Sequence, residues 1–348
     1  MNHSFQIPIL FLILFCKTFN SNAQEENRTK ELIEIMSKNS IPGLSITSIE
    51  NGEISESLAL GVKSQETGEV LGDETVFSAA SLSKPVFAYL VMQMVEEEVL
   101  DLNQPLVTYF DYPDVNADKR HLKVTAKMIL SHTSGLPNWR KKKLKFIYDP
   151  GDRYSYSGEG FVWLQKVIEH LKGESLEELA QRYIFTPLKM SRSSYIFLEG
   201  FEDDFSVSYK SNGDLNPKAK IQKPNAAASL QTTSTDYAKF LVELLKNKNG
   251  NTGYLDQMSM TVAPVEKNQE TDYPVFWGLG VGIQKTPDGN QIFQWGDNYT
   301  FKGFFTLNIK TGNGVVYFSN SENGLAPLKE IVSIYLKDPQ PAADWLNY

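Results

Sequence analysis

Strand signals lie at the two ends of this chain and helix signals between them, and that distribution restricts the fold more than any single motif does. Ser45 to Ile49 and Ile54 to Val62 are strand-like, separated by Glu50-Asn51-Gly52-Glu53, whose Asn-Gly pair suits a tight hairpin. Strand signals return at Trp277 to Ile283, Gln291 to Trp295, Gly303 to Ile309 and Gly314 to Ser319, and a helical stretch from Leu325 to Leu336 follows. Between them, Val86 to Val95 reads as a helix apolar on most faces, the pattern of a helix buried at a domain centre. From Asp101 to Pro224, short helical patterns such as Phe161 to Leu171 and Leu176 to Ile184 stand among loops marked by Pro and Gly. Thr235 to Leu245 is helical again, with Asp236 complementing the N-terminal dipole. One sheet built from both termini, with a helical insertion, accounts for this order and leaves a cleft between the two parts. The expected division is a sheet part over 24–100 and 230–338, a helical insertion over 101–229 and a C-terminal tail over 339–348.

The first residues read as an export signal spanning 1–23. An apolar run from Ile7 to Cys16 is followed by a polar stretch ending Ser21-Asn22-Ala23, whose small residues suit cleavage. The run is shorter than the roughly 20 residues of a permanent membrane span. The n-region is atypical, with His3 and no Lys or Arg, and bulky Phe15 before Cys16 disfavours a lipid anchor. The expected location is periplasmic or secreted. The one cysteine of the chain falls in this segment, so neither disulfides nor thiolate metal sites support the mature fold and a large core must do so. A net charge of −8 argues against general nucleic-acid binding. Arg140-Lys141-Lys142-Lys143-Leu144-Lys145 is a basic run in an acidic protein, read as a solvated loop rather than a contact for an anionic substrate.

Chemistry is signalled first by Ser81-Leu82-Ser83-Lys84. A helix turns about 100° per residue, so positions three apart share a face and the Lys84 amine can touch the Ser81 hydroxyl. A helix N-terminus favours negative charge near Ser81 and disfavours a protonated Lys84, which if desolvated can take the serine proton near neutral pH. The bland alternative is a helix cap.

Further segments fall into line with that pair. Leu130-Ser131-His132-Thr133-Ser134-Gly135-Leu136-Pro137 and Pro150 to Phe161 resemble the serine β-lactamase and penicillin-binding protein superfamily, in its branch of class C β-lactamases, DD-peptidases and related esterases. Ala226 to Phe240 and Trp295-Gly296-Asp297-Asn298 resemble other stretches of that branch in the same order, so the likeness spans roughly residues 30 to 338. It implies an α+β, β-lactamase/transpeptidase-like fold, an antiparallel sheet flanked by helices with a largely helical insertion. It also implies Ser81 as nucleophile, Lys84 and Tyr156 as general base and acid, and the backbone N–H groups of Ser81 and Asp297 as oxyanion hole. A cationic lysine would stabilise the Tyr156 phenolate. Tyr154 lies outside the Tyr-Ser-Gly match and is expected on the opposite side of the segment.

Three positions depart from the family pattern. The third motif, a cation then Gly one residue further on, falls on Gln294-Trp295-Gly296, where a neutral amide replaces the charge. Lys310-Thr311-Gly312 matches the motif literally, but Asn313-Gly314 after it reads as a hairpin turn. Gly158 stands where many relatives carry Asn, and Thr300 replaces a usual Gly. Substrate contacts are therefore expected from Gln294, Trp295, Gly296, Asn298 and Gly158. Gln294 can donate a hydrogen bond to a carbonyl or carboxylate but supplies no charge attraction, which ranks a small ester or peptide above a β-lactam as substrate.

The four histidines, His3, His121, His132 and His170, lack metal-binding spacing, His132 is read as a loop hydrogen-bonding residue, and no G-x-S-x-G elbow is present. Nothing calls for a metal or organic cofactor. The reading is an exported serine hydrolase acting on a small-molecule or peptide substrate, peptidoglycan-derived in the family setting. The alternative is a non-catalytic module that binds cell-wall fragments or a protein partner.

Overall fold

A computed structural model describes residues 10–217, 220–248, 253–265 and 273–348, with backbone alone for 10–23. The first nine residues of the expected leader lie outside the described residues; helix α1 spans Leu10–Lys38. Among the described residues no helix is long and apolar enough to cross a membrane.

Strands β1 (Gly43–Glu50) and β2 (Glu53–Gly61) form the expected hairpin, with Asn51 and Gly52 at φ +53° and +81°, as a primed turn requires. Short β3 (Phe77–Ser78) leads into a 3-10 turn at Ala80–Leu82 and helix α2 (Ser83–Glu96). Helices α3 (Ala126–Leu130), α4 (Gly158–Lys172) and α5 (Leu176–Ala180) follow, then strands β4 (Ser208–Tyr209), β5 (Leu215–Asn216) and β6 (Gln231–Thr232). Helices α6 (Ser234–Lys246) and α7 (Tyr254–Met258) precede β7 (Ala263–Pro264), β8 (Val275–Trp277), β9 (Gly282–Thr286), β10 (Gly289–Asn298), β11 (Phe301–Asn308) and β12 (Gly314–Ser319). Helices α8 (Leu328–Tyr335) and α9 (Pro341–Leu346) close the chain.

The main sheet runs β2-β1-β12-β11-β10-β9-β8-β7, and all its pairings are antiparallel. Strands from the two ends of the chain meet inside this open sheet where β1 pairs β12, Leu44 opposite Ser319, as the strand signals at both ends implied. Side chains alternate between faces with period two. Phe305, Leu307, Val316 and Phe318 pack with α2 and α6, while Phe304, Val315 and Tyr317 pack with α1 and α8. Helix α2 is buried along most of its length, and two tyrosines hold its first turn: Tyr237 Oη donates to the Leu82 carbonyl at 3.0 Å and Tyr195 Oη to that of Ser83 at 2.9 Å.

Two expectations are corrected by packing. Trp277 to Ile283 is not one strand: the chain turns between β8 and β9, because a Cβ at Gly278 would lie 2.0 Å from the Met258 carbonyl oxygen and Gly280 sits at φ +84° against Ala88 of α2. Leu176 to Ile184 is not one α-helix, since after Ala180 the backbone widens into a π-helical turn over Gln181–Phe185. The insertion carries a small β4–β5 ladder as well as helices. The C-terminal tail over 339–348 packs on the body: α9 begins with Pro341 in its first turn, buries Ala342 and Ala343, and sets Trp345 against Trp295 with ring centroids 5.4 Å apart.

Candidate active site

Ser81 sits in the middle of the 3-10 turn that feeds α2, half-buried, and Lys84 is in the first turn of the helix. Ala80, the residue before Ser81, takes φ +48°, a left-handed conformation costing a residue with a Cβ about 1–3 kcal/mol and found where a site imposes it. Strand β10 lies hard against this turn. A Cβ at Gly296 would stand 2.6 Å from the Ala79 carbonyl oxygen, so glycine is what allows the backbone of the third-motif strand to approach Ser81.

The Lys84 amine donates to Ser81 Oγ at 3.1 Å and to the Ala227 carbonyl at 2.8 Å. Lys84 is fully buried with no carboxylate partner among the described residues, and desolvation lowers its pKa from 10.5 to about 7. The amine stands 4.7 Å from the centroid of the Tyr156 ring, over its face. The Tyr156 hydroxyl has Ser81 and Gln294 as hydrogen-bond partners, the Gln294 Nε2 donating at 2.9 Å. Burial pushes the Tyr156 pKa well above 10, more than its hydrogen bonds lower it. The expected phenolate stabilised by a lysine cation is therefore corrected: Lys84 carries the perturbation toward neutrality, and Tyr156 remains a phenol because burial disfavours its anion.

Gln294 is fully buried and already spends its donor hydrogens on Tyr156 and on the Trp295 carbonyl, at 3.0 Å, instead of facing open solvent. Its Oε1 is buried without a hydrogen-bond partner among the described residues. Trp295 projects from the other side of β10, 4.9 Å from the Tyr156 ring, joined to Trp277 and Trp345. Asn298 turns back onto Ser78, its Nδ2 donating at 3.1 Å. The Asp297 side chain is exposed and pairs with Lys302 at 2.6 Å across the β10–β11 ladder. Thr300 is buried, hydrogen-bonded to Ser208 at 2.7 Å and Asn216 at 2.8 Å, so it ties the strand turn to the small β4–β5 ladder. Lys310-Thr311-Gly312 forms the β11–β12 turn with Gly312 at φ +72°, so the literal motif is a hairpin.

His132 holds the loop beneath the site. Its Nδ1 accepts the Ser157 N–H at 3.0 Å, and burial with the nearby Lys84 charge keeps its pKa well below 6.5. Tyr154 is not on the opposite side from Tyr156. Residues two apart in extended backbone share a side, and both rings contact His132 and Trp277. The basic run begins with a structural residue, since Arg140 is clamped by Glu159, Asp114 and Tyr112, while Lys141, Lys142, Lys143 and Lys145 are exposed. Sequence reasoning missed Trp139, which lies against Gly158, and Trp345; both are lone aromatics whose neighbours come from distant segments.

A serine whose hydroxyl touches a near-neutral buried lysine, next to a phenol and a sheet strand, is an arrangement built for acyl transfer without histidine. The family model described as beta-lactamase matches residues 28–331, and the chain belongs to that family of serine hydrolases. It is 24% identical over 302 residues to the teichoic acid D-alanine hydrolase of Staphylococcus aureus (strain MRSA252), covering 80% of this chain and 73% of that one. With the same-named protein of Staphylococcus aureus (strain COL) the match, also 24% identical, covers 59% of this chain and 54% of the other, about half its length. Among solved structures, the D-alanine carboxypeptidase AmpC from Burkholderia cenocepacia shares the fold with TM-score 0.76 at 17% identity, over 90% of this chain and 99% of that one. The octameric penicillin-binding protein homologue from Pyrococcus abyssi gives TM-score 0.73 at 23% identity, over 86% and 74%.

Proposed function

We propose that this chain is an exported serine hydrolase that cleaves an ester or small amide lacking a free carboxylate, through an acyl-enzyme on Ser81. The observation that carries the proposal is the buried Lys84 amine 3.1 Å from Ser81 Oγ with its pKa brought to about 7. At that value the neutral amine is abundant at physiological pH and acts as general base. Lys84 takes the hydroxyl proton as Ser81 attacks the carbonyl carbon, and the oxyanion is held by the backbone N–H groups of Ser81 and Asp297, worth about 3 to 4 kcal/mol each. The C–O or C–N bond then breaks, and the leaving group receives a proton from the Tyr156 phenol, which is re-protonated from Lys84. Water repeats the sequence on the acyl-enzyme, regenerating Ser81.

The substrate class follows from Gln294. An uncharged amide committed to Tyr156 offers a substrate carboxylate no cation, which disfavours D-Ala-D-Ala peptides and penicillins relative to esters. The teichoic acid D-alanine in the name of the Staphylococcus aureus relative supports a cell-wall substrate, and a cell-wall ester outside the cytoplasm is the proposed setting. The test is intact-mass spectrometry and p-nitrophenyl acetate turnover on the protein and on Ser81→Ala, with benzylpenicillin in parallel. Ser81-dependent turnover and a transient acyl adduct are expected, with slower acylation by benzylpenicillin. Equal rates in the two proteins overturn the proposal.

A further inference from the structure

Gly158 opens α4 two residues after Tyr156, and what occupies the space beside it comes from elsewhere in the chain. Ser157 between them is extended, φ −135° and ψ +115°, so positions 156 and 158 project to one side and Ser157 to the other. Ser157 Oγ accordingly faces inward, donating to the Pro137 carbonyl at 2.9 Å and accepting from the Gly160 N–H at 3.0 Å. A side chain at 158 would thus start toward the side on which Tyr156 meets Ser81. That space is filled: a Cβ at Gly158 would stand 2.8 Å from the Asn138 carbonyl oxygen and from Trp139 Cη2, and 3.0 Å from Trp139 Cζ2. The indole is 47% exposed, so its remaining surface is open to a ligand.

The position of Trp139 is enforced from both sides. Before it, the Asn138 carbonyl accepts from the N–H groups of Gly158 at 3.0 Å and Glu159 at 3.1 Å. After it, the Arg140 N–H and Nε donate to the Glu159 carboxylate at 3.0 and 2.8 Å, and Glu159 is only 4% exposed. A partly exposed aromatic ring with both neighbours fixed to the turn that carries the catalytic tyrosine has small ordering cost on meeting a substrate.

We infer that Trp139 is a specificity-determining wall of the active site, selecting substrates that place a flat or branched apolar group next to the scissile carbonyl. This rests on the Ser81 acyl-enzyme reading above. An indole face offers dispersion contact and apolar burial, whereas a residue with an amide at 158 would instead pair with a polar substrate group. The Gly158 hydrogen atom is what leaves room for the ring.

The test compares kcat/KM within two matched ester series, p-nitrophenyl acetate against p-nitrophenyl phenylacetate, and ethyl acetate against 2-phenylethyl acetate. The protein should prefer the phenyl-bearing member in at least one series, and Trp139→Ala should lower that preference about tenfold. Trp139→Phe should retain most of it. Gly158→Ala, whose Cβ would stand 2.8 Å from both the indole and the Asn138 carbonyl oxygen, should lower it by shifting the ring together with the backbone that carries it. Circular dichroism and thermal midpoints establish that each variant is folded. Folded Trp139→Ala and Gly158→Ala with unchanged preference in both series overturn this inference while leaving the acyl-enzyme reading intact. No Ser81-dependent hydrolysis of any of the four esters overturns both.

Discussion

Replacing Lys84 with methionine should abolish turnover and at the same time stabilise the protein at neutral pH. Lys84 is fully buried, and its pKa falls from 10.5 in the unfolded chain to about 7 in the folded protein. Between those values the unfolded state binds the proton and the folded state releases it, so stability rises with pH across that window and the penalty is fully present below about 7. With half of the folded amine still protonated at pH 7, the penalty is roughly 4 kcal/mol there and falls to about 2 kcal/mol at pH 9. Methionine removes that penalty but leaves the Ala227 carbonyl without its 2.8 Å donor, at a cost of about 1–3 kcal/mol that does not change with pH. The net expectation is a variant more stable by about 2 kcal/mol at pH 7, with the advantage shrinking by about 2 kcal/mol at pH 9. Urea unfolding of both proteins at the two pH values measures it, and the pH dependence is the decisive part because the carbonyl cost cancels. A stability gap constant to within about 0.5 kcal/mol would show that Lys84 titrates alike in both states and would refute the reasoning. In the unmodified protein the acylation rate should rise with pH through about 7, as Lys84 becomes the free base.

Tyr156→Phe should lower kcat on esters by about 10²–10⁴-fold, since it removes the proton donor, while steady-state thermal melting changes little because the ring stays among His132, Trp277 and Trp295. Gln294→Lys places a cation against the Tyr156 hydroxyl and should lower the phenol pKa and speed acylation by benzylpenicillin about tenfold, read by the rate of adduct formation in mass spectrometry. Arg140→Ala leaves the buried Glu159 carboxylate without its guanidinium and should cost about 3–5 kcal/mol in urea unfolding, whereas Lys142→Ala on the same basic run should change stability by less than about 0.5 kcal/mol.

Short-range information was legible in the chain: the Asn51-Gly52 hairpin, the apolar α2, Asp236 at the start of α6, and the Ser81–Lys84 spacing all depend on neighbours within a turn or two. The break between β8 and β9 was not, because it is imposed by Met258 and Ala88, which pack from other elements. The Tyr-Ser-Gly match singled out Tyr156 as the tyrosine beside Ser81, but Tyr154 was set on the wrong side although the period of an extended segment alone places the two together. Gln294 was recognised as a missing cation, but its commitment to Tyr156 comes from the depth at which β10 carries it.

The sequence by itself determined the two-ended sheet, the paired serine and lysine, the neutral residue in the third motif and the space left by Gly158, since each is a matter of residue type and local spacing. Tertiary structure alone decided that Lys84 is desolvated to near neutrality, that Tyr156 stays a phenol, that Trp139 takes the place beside Gly158 and that the C-terminal Trp345 backs Trp295. Desolvation and close packing depend on every segment that excludes water from a point in space, and those segments are scattered along the chain.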